Sequence, residues 1–453
     1  MTVQAGTKKN ALGSVLGLER HEYRAVAWSI AYFFCILSSY MIMRSIREMI
    51  GVASGLSSVP YLFTASFAAM LLISPLFAAI AARYRRSQFM PWIHYFFAAN
   101  ILIFYVLFSW ALANESTIVW AGRAFFIWLS VFNLFIVSVF WSFMADIYSR
   151  SQSRRLFGVI SAGGSAGAIL GPLFADPLVV RIGFHNLLPI CAALLLFGVV
   201  CIYKLRQWVD SDREHEHPDA EDRGKPLGGN ALSGITHIAK SGYLTLICVK
   251  SVLASLIGTA LYLFVNQLVR ESIMGFDEQT QFFLRMNFLT NLLAFVLQLL
   301  VVRHAVGKLG LGWTLALMPL LSIPGLFLLA SSPLLIVAAG FTVLRRGVGF
   351  GFAKPSTDML YSVVSREEKY KSKNFIDTAV YRGGDLIGVW SVSWFMAYGI
   401  GAISLALAPF ALIWVGVALA IGRIYRQRDA SGKYGPPATQ SNTPKDPDRN
   451  EPT

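Results

Sequence analysis

Arg44 and Arg47 stand at the end of the first long apolar run of this chain, and Arg123 lies within the fourth. Lys250 and Arg285 fall within the seventh and eighth, and Arg345 and Arg346 are adjacent in the tenth. An ionisable side chain in such a run is costly in hydrocarbon and marks a water-filled path or a site. Several cations facing one low-dielectric cavity attract an anion with more than one charge. Arginine adds a planar fork that matches phosphate or carboxylate oxygens. Neighbours on a helix point about 100° apart, so only one of Arg345 and Arg346 is expected to face a cavity squarely. Acids are fewer: Glu48, Asp146, Asp176, Asp358, Asp377 and Asp385. Glu48, Asp377 and Asp385 are candidates for proton coupling or gating, with Asp146 and Lys354 as further gating candidates. The plainer alternative is that each arginine is paired with an acid and only pins helices. For Asp146, near Arg150 and Arg154, that structural role is the favoured one.

The chemistry implied is binding rather than bond making. The glycine-rich run Arg346–Pro355 is not followed by Gly-Lys-Ser/Thr, as a phosphate-cradling loop of the soluble kind would require. It can unwind to expose carbonyls or flex during gating. Cys35, Cys191, Cys201 and Cys248 all sit within or at the end of apolar runs and behave as small buried hydrophobes. His215 and His217 belong to the acidic stretch DREHEHPDAED and suit a solvated linker better than a metal site. No catalytic triad or nucleophile elbow is present, so neither an enzyme nor a cofactor or metal is expected.

These residues are positioned by long apolar segments. Of 453 residues, 55% are hydrophobic and 14% charged, against about a quarter charged in soluble domains. Many runs reach the roughly 20 residues that cross a bilayer as a helix. That excludes a soluble enzyme, a disulfide scaffold and a chain disordered throughout. The fold class is an all-α polytopic membrane protein with about twelve transmembrane helices. The chain divides into a segment 1–24, six helices over 25–203, a polar linker 204–240, six more helices over 241–421, and a disordered tail 422–453.

Charge orients it. With both termini and the central linker on one side, that side collects 28 of the 39 lysines and arginines. The excess of cations on cytoplasmic loops then makes both termini cytoplasmic. The net charge of +14 is accounted for by this placement and calls for no nucleic acid.

The two halves carry traces of duplication. Ser149–Gly171 reads SRSQSRRLFGVISAGGSAGAILG and Ser365–Gly388 reads SREEKYKSKNFIDTAVYRGGDLIG. Both open with Ser-Arg, pass basic residues to a Phe, reach Gly-Gly and end on a Leu/Ile step to Gly. Each lies between the fourth and fifth helix of its half. Two six-helix repeats with a site between them is the architecture of the major facilitator fold. In that fold spans one, four, seven and ten line the cavity, where these cations concentrate, and spans three, six, nine and twelve, which lack interior charges, face lipid.

Three stretches carry a narrower resemblance. The first is Tyr40-Met-Ile-Met-Arg44-Ser-Ile-Arg47-Glu48; the second is Arg154-Arg155-Leu-Phe-Gly158 with Gly163-Gly164. The third runs from Lys354-Pro355 through Lys371-Ser-Lys373-Asn-Phe-Ile-Asp377 to Tyr381-Arg382-Gly-Gly-Asp385. Together they resemble the ATP:ADP antiporter family of plastids and intracellular bacteria, and more closely its bacterial relatives of unassigned substrate. The resemblance implies exchange of nucleotides or similar phosphorylated anions without hydrolysis, in a bacterial inner membrane. Arg44 and Arg47 match the basic pair closing span one; Lys371, Lys373 and Asp377 match the entry to span eleven. The nucleotide exchangers carry a basic residue within Gly-Lys-Ser where this chain has Asp385, and Arg382 is the nearest cation. They also carry a glutamate in span four, where Leu129, Phe132 and Asn133 stand here.

The expectation is a secondary-active transporter of a small multivalent organic anion, working by alternating access. Arg44, Arg47, Arg123, Lys250, Arg285, Arg345, Arg346 and Arg382 are the candidate binding residues. Its expected partners are the lipid bilayer, the anionic solute and protons as a coupling ion. Two alternatives are proton-driven efflux of an amphipathic compound and a non-transporting membrane scaffold or sensor.

Overall fold

The computed structural model describes residues 19–83, 86–112, 115–213, 241–300, 302–365, 368, 372, 373 and 375–431. Most of the N-terminal segment, the linker and the tail, with His215, His217 and Lys371, lie outside these. The described residues contain helices and no strand. In chain order they are α1 (Tyr23–Ala53), α2 (Val59–Arg83), α3 (Arg86–Ala111), α4 (Glu115–Ile147), α5 (Arg150–Ile182) and α6 (Leu187–Arg213). The second half holds α7 (Gly242–Ser272), α8 (Phe276–Leu300), α9 (Val302–Ser331), α10 (Leu335–Val348), α11 (Tyr381–Phe395) and α12 (Gly399–Ala430).

By length and apolarity there are 11 crossing segments, the last a 50-residue stretch over Tyr381–Ala430. As one helix it would be about 75 Å long, more than twice the roughly 30 Å of hydrocarbon. Gly399, at φ 83°, breaks it into α11 and α12. Among the described residues the outcome is twelve crossing helices, six before the linker and six after it, as expected. Burial differs between them, and the first span is the most enclosed. Of the apolar window of α1, 67% is buried, against 39% for α3 and for α9. Trp92 and Trp110 of α3 are more than 70% exposed and face the lipid side, where aromatic rings are favoured.

The duplication is visible in local structure. Ser149 caps α5 reciprocally: its hydroxyl accepts from the Gln152 amide at 3.3 Å, and its own amide donates to Gln152 Oε1 at 2.9 Å. Ser365 and Glu368 repeat this box at 3.2 and 3.1 Å. In each case the spacing Ser-x-x-Gln/Glu satisfies two helix-end amides. Glycines follow at equivalent places. A Cβ on Gly163 would lie 2.6 Å from the Ile30 carbonyl oxygen, and one on Gly171 would lie 2.8 Å from Ser38 Cα. Gly167, between them, faces the Phe34 carbonyl. These three bring α5 onto the backbone of α1. In the second half Gly384 and Gly388 bring α11 onto α7, with added Cβ atoms 3.4 Å from Val252 Cα and 3.2 Å from Leu256 Cα.

The glycine-rich run after α10 stays helical but is underwound. Gly349–Ala353 forms a π-helical segment before the last turn, Lys354–Met359. A second π segment, Ile376–Val380, leads into α11. Such segments are uncommon and recur at functional sites.

The face where α1 begins and α12 ends is called the basic face below. Contacts between the halves lie away from it. Asp176 of α5 accepts from Arg285 of α8 at 2.8 Å, and the Phe184 amide donates to Asp277 at 2.6 Å. Trp390 of α11 donates to Thr64 of α2 at 3.1 Å and packs on Tyr61. Asn287 of α8 reaches Ser45 of α1 at 3.0 Å.

Candidate functional site

The last third of α1 places Arg44, Ser45 and Glu48 on adjoining faces, since residues four apart meet on a helix. Glu48 is only 3% exposed. Its Oε1 accepts from Arg44 Nε at 3.0 Å and lies 3.7 Å from Arg346 of α10. Arg346 also reaches Asn287 Oδ1 at 3.5 Å. One buried carboxylate is thus shared by two arginines from opposite halves, and each arginine side chain remains 18% exposed. Arg47 points to the other side, donating to Ser130 at 3.5 Å and lying 4.8 Å over the Phe126 ring.

Arg345 is buried, 5% exposed. It donates to the Ala254 carbonyl at 2.5 Å and sits 5.9 Å over Trp414. Among the described residues no carboxylate pairs with Arg47, Arg345 or Lys250. The Nε atoms of Arg47 and Arg345 are buried without a hydrogen-bond acceptor, a costly condition for a charged donor. Asp385 accepts from Ser255 and lies 3.9 Å from Arg382. Tyr381 lies within electrostatic range of Asp385, Arg345, Arg382 and, from the other half, Arg44. Arg44, Arg47, Arg345, Arg346 and Arg382 therefore gather around two acids, Glu48 and Asp385. Such an excess of guanidinium groups suits an anion.

Nearer the basic face, Lys250 donates to Thr357 at 2.5 Å. Lys354 pairs with Asp377 at 3.1 Å and Asp358 at 3.7 Å, and Lys373 with Asp358 at 2.8 Å. This network ties the last turn of span ten to the entry of span eleven, joining the two π segments. Two surface cavities lie elsewhere. One, of about 130 Å³, is lined by Trp313, Arg423 and Arg426 near the basic face; the other, of about 200 Å³, is lined by Phe34, Gly171 and Leu187. Neither touches the arginine cluster.

Residues 28–389 match the family described as the Major Facilitator Superfamily. This chain belongs to that superfamily. No curated protein matches it in sequence. Solved structures of the same fold include the nucleoside transporter NupG, 14% identical with a TM-score of 0.55, covering 91% of this chain and 99% of that one. A bacterial homologue of the iron transporter ferroportin, in an inward-facing state, is 12% identical with a TM-score of 0.61 and covers 89% and 98%. A bacterial homologue of the human lysosomal transporter Spinster, inward-facing and unoccupied, is 12% identical with a TM-score of 0.55 and covers 90% and 98%. At these identities the likeness is one of fold. With the superfamily it makes this chain an integral membrane transporter.

The other expected site residues of this facilitator fall outside the cluster. Arg285 is 61% exposed and paired with Asp176 at the seam between the halves. Arg123 donates to Ser58 at 2.9 Å and lies 4.6 Å over Trp120, bracing the turn after α1. Asp146 is half-buried at the basic end of α4. Sequence reasoning passed over Glu22, which is fully buried and holds Arg155 at 2.7 Å and Gln152 at 3.1 Å. An acid directly before the first apolar run, with Arg154-Arg155 before the fifth, was the available signal. Glu22 also belongs, with Glu19 and His21, to a group of metal-ligand atoms; the Arg155 guanidinium already supplies its positive charge. Asn287 and Ser45 were missed because single polar residues in apolar runs carry no distinctive spacing.

Asp176→Asn tests the seam. Both partners of this pair are partly exposed, so thermal stability is expected to change by less than about 1 kcal/mol. The separation of the halves on that face should increase instead. Spin labels on α5 and α8 at that face should gain a longer-distance population; an unchanged distance distribution would show that the pair does not hold the seam.

Proposed function

We propose that this transporter carries a small multivalent organic anion, moving it by alternating access between its halves. One observation carries the reading: Arg44 and Arg346 come from opposite halves to one buried carboxylate, Glu48, while among the described residues no acid pairs with Arg47 or Arg345. Such an arrangement binds charge only when the halves come together, as rocking about a midplane site requires. The contacts at Asp176–Arg285 and Thr64–Trp390 support a state closed away from the basic face. The clustering of lysine and arginine toward the basic face supports a cytoplasmic position for it, in a bacterial inner membrane. Lys250 lies about 12 Å into α7 from that face, and Lys354 and Asp377 border the same approach; they would guide and gate the solute.

The resemblance to ATP:ADP antiporters supports a phosphorylated solute. Asp385 stands where the nucleotide exchangers have a cation, and it accepts from Ser255. A smaller phosphorylated or carboxylated anion therefore fits better than a whole nucleotide. Counterflow decides between them. Proteoliposomes preloaded with ATP should not accumulate labelled ADP, while preloading with the transported anion should drive uptake of its labelled form; ADP accumulation would make this a nucleotide exchanger.

Neutralising Arg345 and Lys250 together, as Arg345→Ala with Lys250→Ala, should abolish thermal stabilisation by anions. An unchanged response would remove both residues from the site. A second reading, proton-driven efflux of an amphipathic compound, draws on Asp385, a carboxyl group 15% exposed beside Ser255 and Arg382. It requires that transport collapse with the proton gradient, which the anion exchanger would survive.

A further inference from the structure

We infer that Glu48 is a built-in competitor for the Arg44–Arg346 clamp, which it yields to groups bearing at least two negative charges. The clamp would then select phosphate monoesters and dicarboxylates over monocarboxylates. This rests on the anion-carrier reading above and adds the class of solute that the site admits.

The geometry supplies the argument. Glu48 Oε1 is held tightly by Arg44, 3.0 Å away on its own helix, and loosely by Arg346, 3.7 Å away in the other half. The i, i+4 spacing keeps the first contact whatever the halves do, so Arg346 is the partner that can be surrendered. It has a waiting alternative in Asn287 Oδ1, at 3.5 Å. Both guanidinium groups keep a partly exposed edge, and an arginine fork has five donors, more than one carboxylate oxygen uses.

Charge then sets the selectivity. Two guanidiniums less one carboxylate leave one net positive charge in the clamp. A monoanion entering it meets that single charge, must shed its hydration, and is repelled by the Glu48 carboxylate beside it. A dianion gains twice the net attraction and can span both forks, so it can displace the Glu48 carboxylate from Arg346 where a monoanion, no stronger a ligand than Glu48 itself, cannot. When a dianion draws Arg346 from Glu48, the cross-half bond is exchanged for one through the solute. Occupancy is thereby linked to the contact between α1 and α10.

Thermal unfolding of the full-length protein in detergent tests this, with inorganic phosphate, pyrophosphate and acetate at matched pH and ionic strength. The wild type should be stabilised by phosphate and pyrophosphate and not by acetate. Glu48→Gln keeps the shape and an oxygen for Arg44 but removes the charge. It should respond at about tenfold lower phosphate and acquire a response to acetate. Arg423→Ala, on the exposed end of α12, controls for loss of surface charge and should match the wild type. If Glu48→Gln does not fold, Glu48→Asp replaces it; the shorter carboxylate recedes from Arg346 and should lower the phosphate requirement. A wild type equally stabilised by acetate overturns the inference, as does a variant whose titrations overlay the wild type. In the latter case the anion-carrier reading stands. A wild type that responds to none of the three anions would take down both.

Discussion

Arg346→Ala is expected to weaken anion binding by about 10- to 150-fold. A hydrogen bond to a charged group contributes roughly 1.5–3 kcal/mol, and each 1.4 kcal/mol is about tenfold in affinity. Among the described residues Arg346 is the one cation of the second half that forms an ion pair with Glu48. Its loss therefore removes both a fork for the solute and the charged link between α1 and α10. Arg346→Lys should restore only part of the binding, because an ammonium is a point charge without the planar fork. The measurement is the concentration of anion that half-saturates thermal stabilisation, compared across wild type, alanine and lysine variants. Full recovery with lysine would mean that Arg346 provides charge alone. No loss with alanine would move the solute away from this clamp.

Gly167→Val is expected to destabilise the fold by about 3 kcal/mol or more. A side chain there would strike the carbonyl group of Phe34, and the neighbouring glycines meet the backbone of Ile30 and Ser38. Backbone cannot rotate aside as a flexible side chain can, so α5 must withdraw from α1 along its length. Overpacking costs about 1–3 kcal/mol where the surroundings adjust, against a total stability of roughly 5–15 kcal/mol. In a bilayer close helix approach is itself the main source of association, so the cost belongs at the upper end or above. The same helix provides its control. Gly158 has nothing within 4 Å of an added Cβ, and Gly158→Ala should be neutral or stabilise by up to about 1 kcal/mol. Yield of monodisperse protein and its unfolding temperature decide the matter. A Gly167→Val protein as stable as the wild type would mean that α1 and α5 can part without consequence.

These two positions differ in how they could be known. Gly163, Gly167 and Gly171 recur every fourth residue, and that spacing alone puts them on one helix face suited to close packing. Apolar run lengths likewise determined the crossing helices, because hydrocarbon has no water to satisfy a backbone and only segments of bilayer length endure in it. The Ser-x-x-Gln and Ser-x-x-Glu boxes were local as well, needing no more than one turn to close.

Which arginines act together was a different matter. Arg44 and Arg346 are 302 residues apart, and nothing in either run distinguishes Arg346, shared with Glu48, from Arg345, turned to Ala254 and Trp414. Arg285 looked as much like a ligand as Arg346 until Asp176 was found beside it. Hydropathy and spacing report what each helix must do in the membrane. The partner of a buried charge is set by how helices from two halves rotate and slide against each other, and that is decided only by the packing of the folded chain.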